Sequence, residues 1–191
     1  MSALAEITPF MTVEEYLATE EFAPRKREYL GGFVYEMAGA SESHNRIASN
    51  LNRILGNHLL GGPCEYFGAD MKLKVDLAKL SYFYYPDGMV ACDPTEHGKD
   101  YRERPSLIVE ITSESTKGID AREKLMAYRQ VASLEAYVRV EQLTPELLVE
   151  RRTESGWQQW RFSGLDAVAD FGVLGIKLPL RDVYDRVVFP T

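Results

Sequence analysis

Between Pro105 and Arg129 the chain spells out a covered strand, a polar turn and an amphipathic helix in direct succession, which narrows the folds open to the rest. Leu107, Ile108, Val109 and Ile111 form a short apolar run bounded by Pro105 and a Thr/Ser segment. Such a run fits a strand covered on both faces. Glu110 sits inside it, and an ionised carboxylate in apolar surroundings is costly unless it has a partner or a metal. Beyond Gly118, Ala121, Leu125, Tyr128 and Ala132 recur at helical spacing, with Asp120 placed as the N-cap. Lys124 borders this stripe. With the helix packed back on the sheet, its ammonium reaches the end of the strand near Glu110, a functional-site candidate.

The rest of the chain supplies partners for this unit. Thr12-Val-Glu-Glu15 is a capping box, with Met11 and Tyr16 as its hydrophobic staple, and predicts a short helix over Val13 to Glu20. Arg27 to Met37 reads as a hairpin turning at Gly31-Gly32. A second helix is expected from Ser43 to about Leu60, with Ile47, Leu51, Ile54, Leu55 and Leu59 on one face and His44 in its first turn. Met71 to Val75 alternates as a strand with one wet face. Tyr82 to Cys92 is a second β-rich segment in which Pro86 demands an edge, an end or a bulge. Asp87 therefore stands where regular pairing breaks, a place that often re-aims a side chain.

Asp93 to Arg104 reads as a polar, exposed loop. Ala136 to Val140 reads as a strand, and Leu147 to Arg152 with Trp157 to Phe162 as a hairpin turning near Gly156. Trp157 and Trp160 read as hairpin packing rather than as a base-stacking platform. Phe171 to Phe189 is apolar without a clear period. From Ser43 onward the order is helix, strand, strand, strand, helix, strand. That is an α/β core with a mixed sheet, and with no internal repeat or linker, residues 1–191 read as a single domain.

Composition limits the function classes. With 45% hydrophobic and 27% charged residues and no apolar run near the ~20 residues a membrane span needs, a soluble protein is expected. The first residues lack a basic flank and an apolar core, so a cytoplasmic location is expected. Cys64 and Cys92 form no CxxC pattern and are expected to be buried thiols. A net charge of −7 excludes a surface coated for general nucleic-acid binding. Local basic bunches remain at Arg25-Lys26-Arg27, at Lys72 and Lys74, and at Lys99, Arg102 and Arg104, and each alone reads as solvated charge.

Asp87 and Glu110 are carboxylates on neighbouring expected strands. Two converging carboxylates leave open positions on a hard cation such as Mg²⁺ or Mn²⁺. A bound cation makes water a better nucleophile and stabilises charge growing on a phosphoryl group, and a lysine beside it can orient that water. The same residues fit a plain structural ion pair between Glu110 and Lys124 equally well. Other chemistries lack their motifs: no phosphate-cradling glycine loop, no G-x-S-x-G elbow, and no zinc spacing among His44, His58 and His97.

Pro86-Asp87, the run Leu107 to Thr116 with Glu110, Ser113 and Ser115, then Asp120, Lys124 and Tyr128, resemble the Uma-two family of "putative restriction endonucleases" in the PD-(D/E)XK nuclease superfamily. The similarity extends to Met11-Thr12, Tyr16-Leu17, the hairpin from Arg27 to Gly32 and His44, and so spans about Met11 to Val140. The resemblance implies a restriction-endonuclease-like mixed sheet core, with an added N-terminal helix and hairpin and C-terminal strands. It implies a metal-dependent endonuclease acting on DNA, with Asp87 and Glu110 as Mg²⁺ (or Mn²⁺) ligands and Lys124 as the functional amine. It places Glu28, His44 and Tyr128 beside the cleft. The superfamily's usual lysine position is Thr112 here, so Lys124 on the following helix stands in for it. Glu114, Gly88 and the segment Glu135 to Val140 depart from the family pattern. A homodimer is expected, because cutting both strands needs two sites. Two other readings stay open: a non-enzymatic nuclease-fold module that binds nucleic acid or protein, and a hydrolase of a smaller phosphate ester.

Overall fold

The computed structural model describes residues 10–96, 100–112 and 119–190. Thr12 caps helix α1 (Val13–Glu20): its hydroxyl accepts the Glu15 N–H at 3.2 Å, and the Glu15 carboxylate takes the Thr12 N–H at 2.8 Å. Strands β1 (Arg27–Leu30) and β2 (Phe33–Glu36) form the expected hairpin. Gly31 and Gly32 turn it with φ of +58° and +109°, where a side chain would be strained. Tyr16, Tyr29, Val34 and Phe83 make a small aromatic core between α1 and the hairpin, with Met11 packed on it as the staple requires.

Helix α2 (Glu42–Leu59) is capped by Ser41 and buries Ile47, Leu51 and Leu55. Strand β3 (Glu65–Gly68) follows, then β4 (Lys72–Leu77), β5 (Leu80–Tyr84) and β6 (Gly88–Ala91). A 3₁₀ turn (Pro94–Glu96) and β7 (Tyr101–Arg102) lead to β8 (Pro105–Thr112) and helix α3 (Ile119–Tyr128). Strands β9 (Ala136–Glu141), β10 (Glu146–Thr153) and β11 (Gly156–Ser163) come next. The chain closes with β12 (Val168–Asp170), β13 (Lys177–Pro179) and α4 (Leu180–Val183).

Three sheets result among the described residues, ordered β2-β1-β5-β4-β7, β11-β10-β9-β8-β6-β3 and, as a small pair, β12-β13. In the second, β6 pairs antiparallel with β3 and β8, while β8 and β9 run parallel with α3 crossing between them. The helix-strand-strand-strand-helix-strand core is therefore α2-β3-β6-β8-α3-β9. Its first strand is β3 and not the Met71 to Val75 segment. A four-residue edge strand is too short to show alternation, so β3 leaves no period in the sequence. The β4–β5 hairpin is inserted into the core and carries the five-stranded sheet. The Tyr82 to Cys92 segment breaks at Pro86 because the chain changes sheets there.

One core, on the α2 side of the six-stranded sheet, gathers Leu107, Val109 and Ile111 with Phe171, Ile176, Leu180 and Val183 from the C-terminal segment. A second lies under α3, with Leu73, Tyr84, Met89, Ile108, Tyr128 and Tyr137. Glu110 projects on that second side, between Ile108 and Thr112 in the strand alternation.

Several local expectations are corrected. The described ends of the Asp93 to Arg104 segment are anchored rather than simply exposed. Buried Glu96 accepts the N–H groups of Glu103 and Arg104 at 2.7 and 3.2 Å, and buried Arg102 lies 4.3 Å from the Phe67 ring centre. Helix α3 starts at Ile119, so Asp120 lies within its first turn and not ahead of it. Ala132 is exposed beyond the helix, and Ala127 takes the buried place beside Tyr128. Ser113, Glu114, Ser115 and Thr116 lie outside the described residues, as do His97 and Lys99.

Cys64 and Cys92 are not thiols but a disulfide. The β3–β6 register sets Glu65 against Ala91, so the two flanking cysteines oppose one another, with Cα atoms 4.0 Å apart. Replacing both by alanine is expected to lower unfolding free energy by about 2–4 kcal/mol, since the cross-link restrains the unfolded chain. Urea melts of the oxidised protein and the double variant check this.

Candidate functional site

The change of sheet at Tyr85-Pro86-Asp87 builds the site. Asp87 immediately precedes β6, whose Gly88 is registered against Val109 of β8. Its Oδ2 accepts the Ile111 N–H at 2.7 Å, which ties it to the backbone next to Glu110. Its Oδ1 lies 3.1 Å from Nε2 of His44, which α2 presents from its first turn. The Nδ1 of His44 is buried without a hydrogen-bond partner. Gly88 is required here: a Cβ on it would meet the Tyr66 hydroxyl at 2.1 Å. The β-branched residue expected after Asp87 is absent because a ring from β3 fills its space. Burial and the Asp87 charge together push the Tyr66 phenol pKa up.

Glu110 accepts the Tyr128 hydroxyl at 2.7 Å. Its pKa is raised to about 8, chiefly by burial, with the Asp87 and Glu28 charges adding and Lys124 and the Tyr128 hydrogen bond opposing. Asp87 and Glu110 thus act on each other electrostatically. Burial thus favours the protonated carboxyl of Glu110 to higher pH than the ordinary value of 4.5. Because the folded pKa exceeds the unfolded one, this group's stabilisation is full below about 4.5 and is lost as pH rises through about 8. Glu110→Gln is expected to flatten that stretch of the stability–pH curve, as read from urea midpoints in metal-free buffer.

Lys124 points inward, its side chain 13% exposed. Its amine does not make the alternative structural ion pair with Glu110; it donates to Glu28 Oε1 at 2.7 Å. Glu28 is buried and also accepts the Tyr85 N–H at 3.3 Å. The β1 hairpin thus contributes a buried carboxylate directly to the site, and the bland reading of Glu28 as a surface charge fails. Neighbouring Glu123 accepts the Tyr84 hydroxyl at 2.6 Å, which fixes α3 on the five-stranded sheet. Rings of Tyr84, Tyr128 and Tyr137 pack edge to face at 5.4 and 5.7 Å and wall the site on the α3 side.

Asp87, Glu110, Lys124, Glu28, His44 and Tyr128 are therefore drawn together, although they come from the two larger sheets, the connection between them and two helices. Tyr66 was not foreseen; Gly88 beside Asp87 was its one trace in the sequence. The basic bunches are largely neutralised at the surface. Lys26 lies 2.6 Å from Asp70, Lys74 2.9 Å from Glu103, and Arg104 2.6 Å from Asp93.

Among the described residues no group of three or more His, Cys, Asp or Glu side chains is arranged as a ready metal cage. Two carboxylates suit Mg²⁺ nonetheless, which is held by one or two carboxylates and keeps several waters.

The Uma2 family model, described as "Putative restriction endonuclease", matches residues 13–181. The chain belongs to the Uma2 family. Two Synechocystis relatives, both named as uncharacterized, cover most of it. The protein sll1609 is 34% identical over 161 residues, 83% of this chain and 89% of its own. The protein slr1290 is 30% identical over 183 residues, 95% of each chain. A crystal structure of "a putative nuclease belonging to DUF820" from Anabaena variabilis superposes with a TM-score of 0.71. At 14% identity it covers 93% of this chain and 99% of that one. This Uma2 chain thus shares its α/β fold with that protein, as the strand and helix order implied. None of its described helices is long and apolar enough to cross a membrane.

Proposed function

We propose that this chain is a divalent-cation-dependent nuclease that hydrolyses phosphodiester bonds of DNA. The observation that carries the reading is the half-buried Glu110 carboxyl, held by Tyr128 and raised in pKa beside Asp87, with Lys124 directed inward. Asp87 and Glu110 would hold Mg²⁺ or Mn²⁺. The bound cation would activate a water and offset charge on the phosphoryl oxygens.

The chain's own groups have distinct tasks. His44 and the Ile111 N–H orient Asp87, and Tyr128 orients Glu110. Lys124 would present a positive charge near the attacked phosphoryl group, whose oxygens gain negative charge as the P–O ester bond breaks and the sugar oxygen departs. Glu28 keeps that amine inside rather than in solvent. Severing both strands of a duplex calls for two such sites, which fits a homodimer.

A second reading has one observation in its favour: the Lys124 amine is already engaged by Glu28. It makes the chain a nuclease-fold binding module without chemistry. Incubation with duplex DNA, single-stranded DNA and small phosphate esters, in Mg²⁺, Mn²⁺ or EDTA, separates the readings. Cleavage of DNA with either cation and none in EDTA supports the nuclease. Binding without cleavage in any cation supports the module, and turnover of small esters alone supports a different phosphate hydrolase.

A further inference from the structure

Beside the site lies a cluster that the proposed chemistry does not use. In the parallel β8–β9 pair Glu110 is registered against Arg139, so both side chains leave the same face of the six-stranded sheet on adjacent strands. Arg139 turns toward β10, where its Nη2 donates to Glu150 Oε1 at 3.1 Å. Arg129, just past the end of α3, donates its own Nη2 to Glu150 Oε2 at 2.5 Å. Glu150 is 1% exposed. One guanidinium would neutralise it, but two are present, and they keep 26% and 38% of their side-chain surface in solvent.

The Nε atoms of both arginines are buried without a hydrogen-bond partner, and Glu150 engages one Nη of each. Arg152 stands behind them, bonded to the backbone carbonyls of Leu134 and Val131 at 2.8 Å and stacked 4.9 Å from the Trp157 ring centre. Three guanidiniums face one carboxylate on this shelf. Arg161, further along the sheet, is already taken by Glu146. In a chain of net charge −7, positive charge is thus concentrated next to the acidic pair.

We infer that Arg139 and Arg129, held rigid by Glu150, form a phosphate-binding shelf that takes a backbone phosphate of a nucleic acid whose neighbouring phosphate lies at Glu110. A fixed guanidinium keeps N–H donors in the planar fork that matches phosphate oxygens. The inference rests on the nuclease reading for its choice of ligand, and it supplies what the acidic pair lacks: an anchor for a polyanion.

The test measures binding of a fluorescent DNA duplex to the full chain by anisotropy in EDTA over a range of salt, alongside cleavage in Mn²⁺. Arg139→Gln is expected to weaken binding and to lower the salt slope by about one. Arg139→Lys is expected to keep the slope, and the exposed control Arg25→Gln to leave binding unchanged. The shelf is overturned if Arg139→Gln binds as the parent does, if Arg139→Lys loses as much as Arg139→Gln, or if the parent binds no DNA. Cleavage with an unchanged Arg139→Gln slope removes the shelf alone. A shelf-dependent slope with no cleavage removes the nuclease reading and keeps the shelf.

Discussion

Asp87→Asn is expected to reduce metal-dependent DNA cleavage by about a thousandfold or more, the scale of losing a principal charge-stabilising group. The change is nearly isosteric. The asparagine oxygen can still accept the Ile111 N–H, and its amide can face the Nε2 of His44. The fold should therefore survive, and the melting temperature without metal should stay close to the parent's. Removing the Asp87 charge also removes one of the influences that raise the Glu110 pKa, so Glu110 should ionise at lower pH in the variant. Loss of activity with retained fold and a lowered Glu110 titration would place the defect in the acidic pair. Cleavage rates at saturating Mg²⁺, circular dichroism and carboxyl NMR titration read these three quantities.

Lys124→Met is expected to lower cleavage by about a hundred- to a thousandfold and also to destabilise the protein. The second effect follows from burial. Glu28 is 8% exposed and would lose its ammonium partner, and breaking a buried ion pair from one side costs about 3–5 kcal/mol. The double variant Glu28→Gln with Lys124→Met leaves no such charge. It should recover most of the stability and none of the activity. That split separates a functional amine from a structural one. If the double variant regains cleavage, Lys124 has no part in the reaction, and the pair serves only to join α3 to the β1 hairpin.

Much of the frame was legible because it is written in local periods. The run from Leu107 to Ile111, the capping box at Thr12 and the glycine turn at Gly31 each act within a few residues, and each stands where the pattern put it. The carboxylate inside an apolar strand and the one at a Pro-Gly break were likewise visible as irregularities, and the structure places them beside one another. What could not be read depends on distant packing. Glu28 and Lys124 meet across 96 positions, and only the docking of the hairpin against α3 decides that Glu28, not Glu110, receives the amine. Strand β3 exists because β6 offers it an edge, and with it come both the Cys64–Cys92 bond and the Tyr66 ring over Gly88. The sheet change at Pro86 was legible as an irregularity, but its destination was not.

The proposed reaction requires Asp87 and Glu110 to grip one divalent cation. Isothermal titration of Mn²⁺ into the metal-free protein, its Asp87→Asn variant and its Glu110→Gln variant tests this most directly. The parent is expected to bind saturably, with proton release from Glu110 below about pH 8, and each variant to bind at least about tenfold more weakly. A parent that takes up no Mn²⁺, or variants that bind it as tightly as the parent, would contradict that requirement.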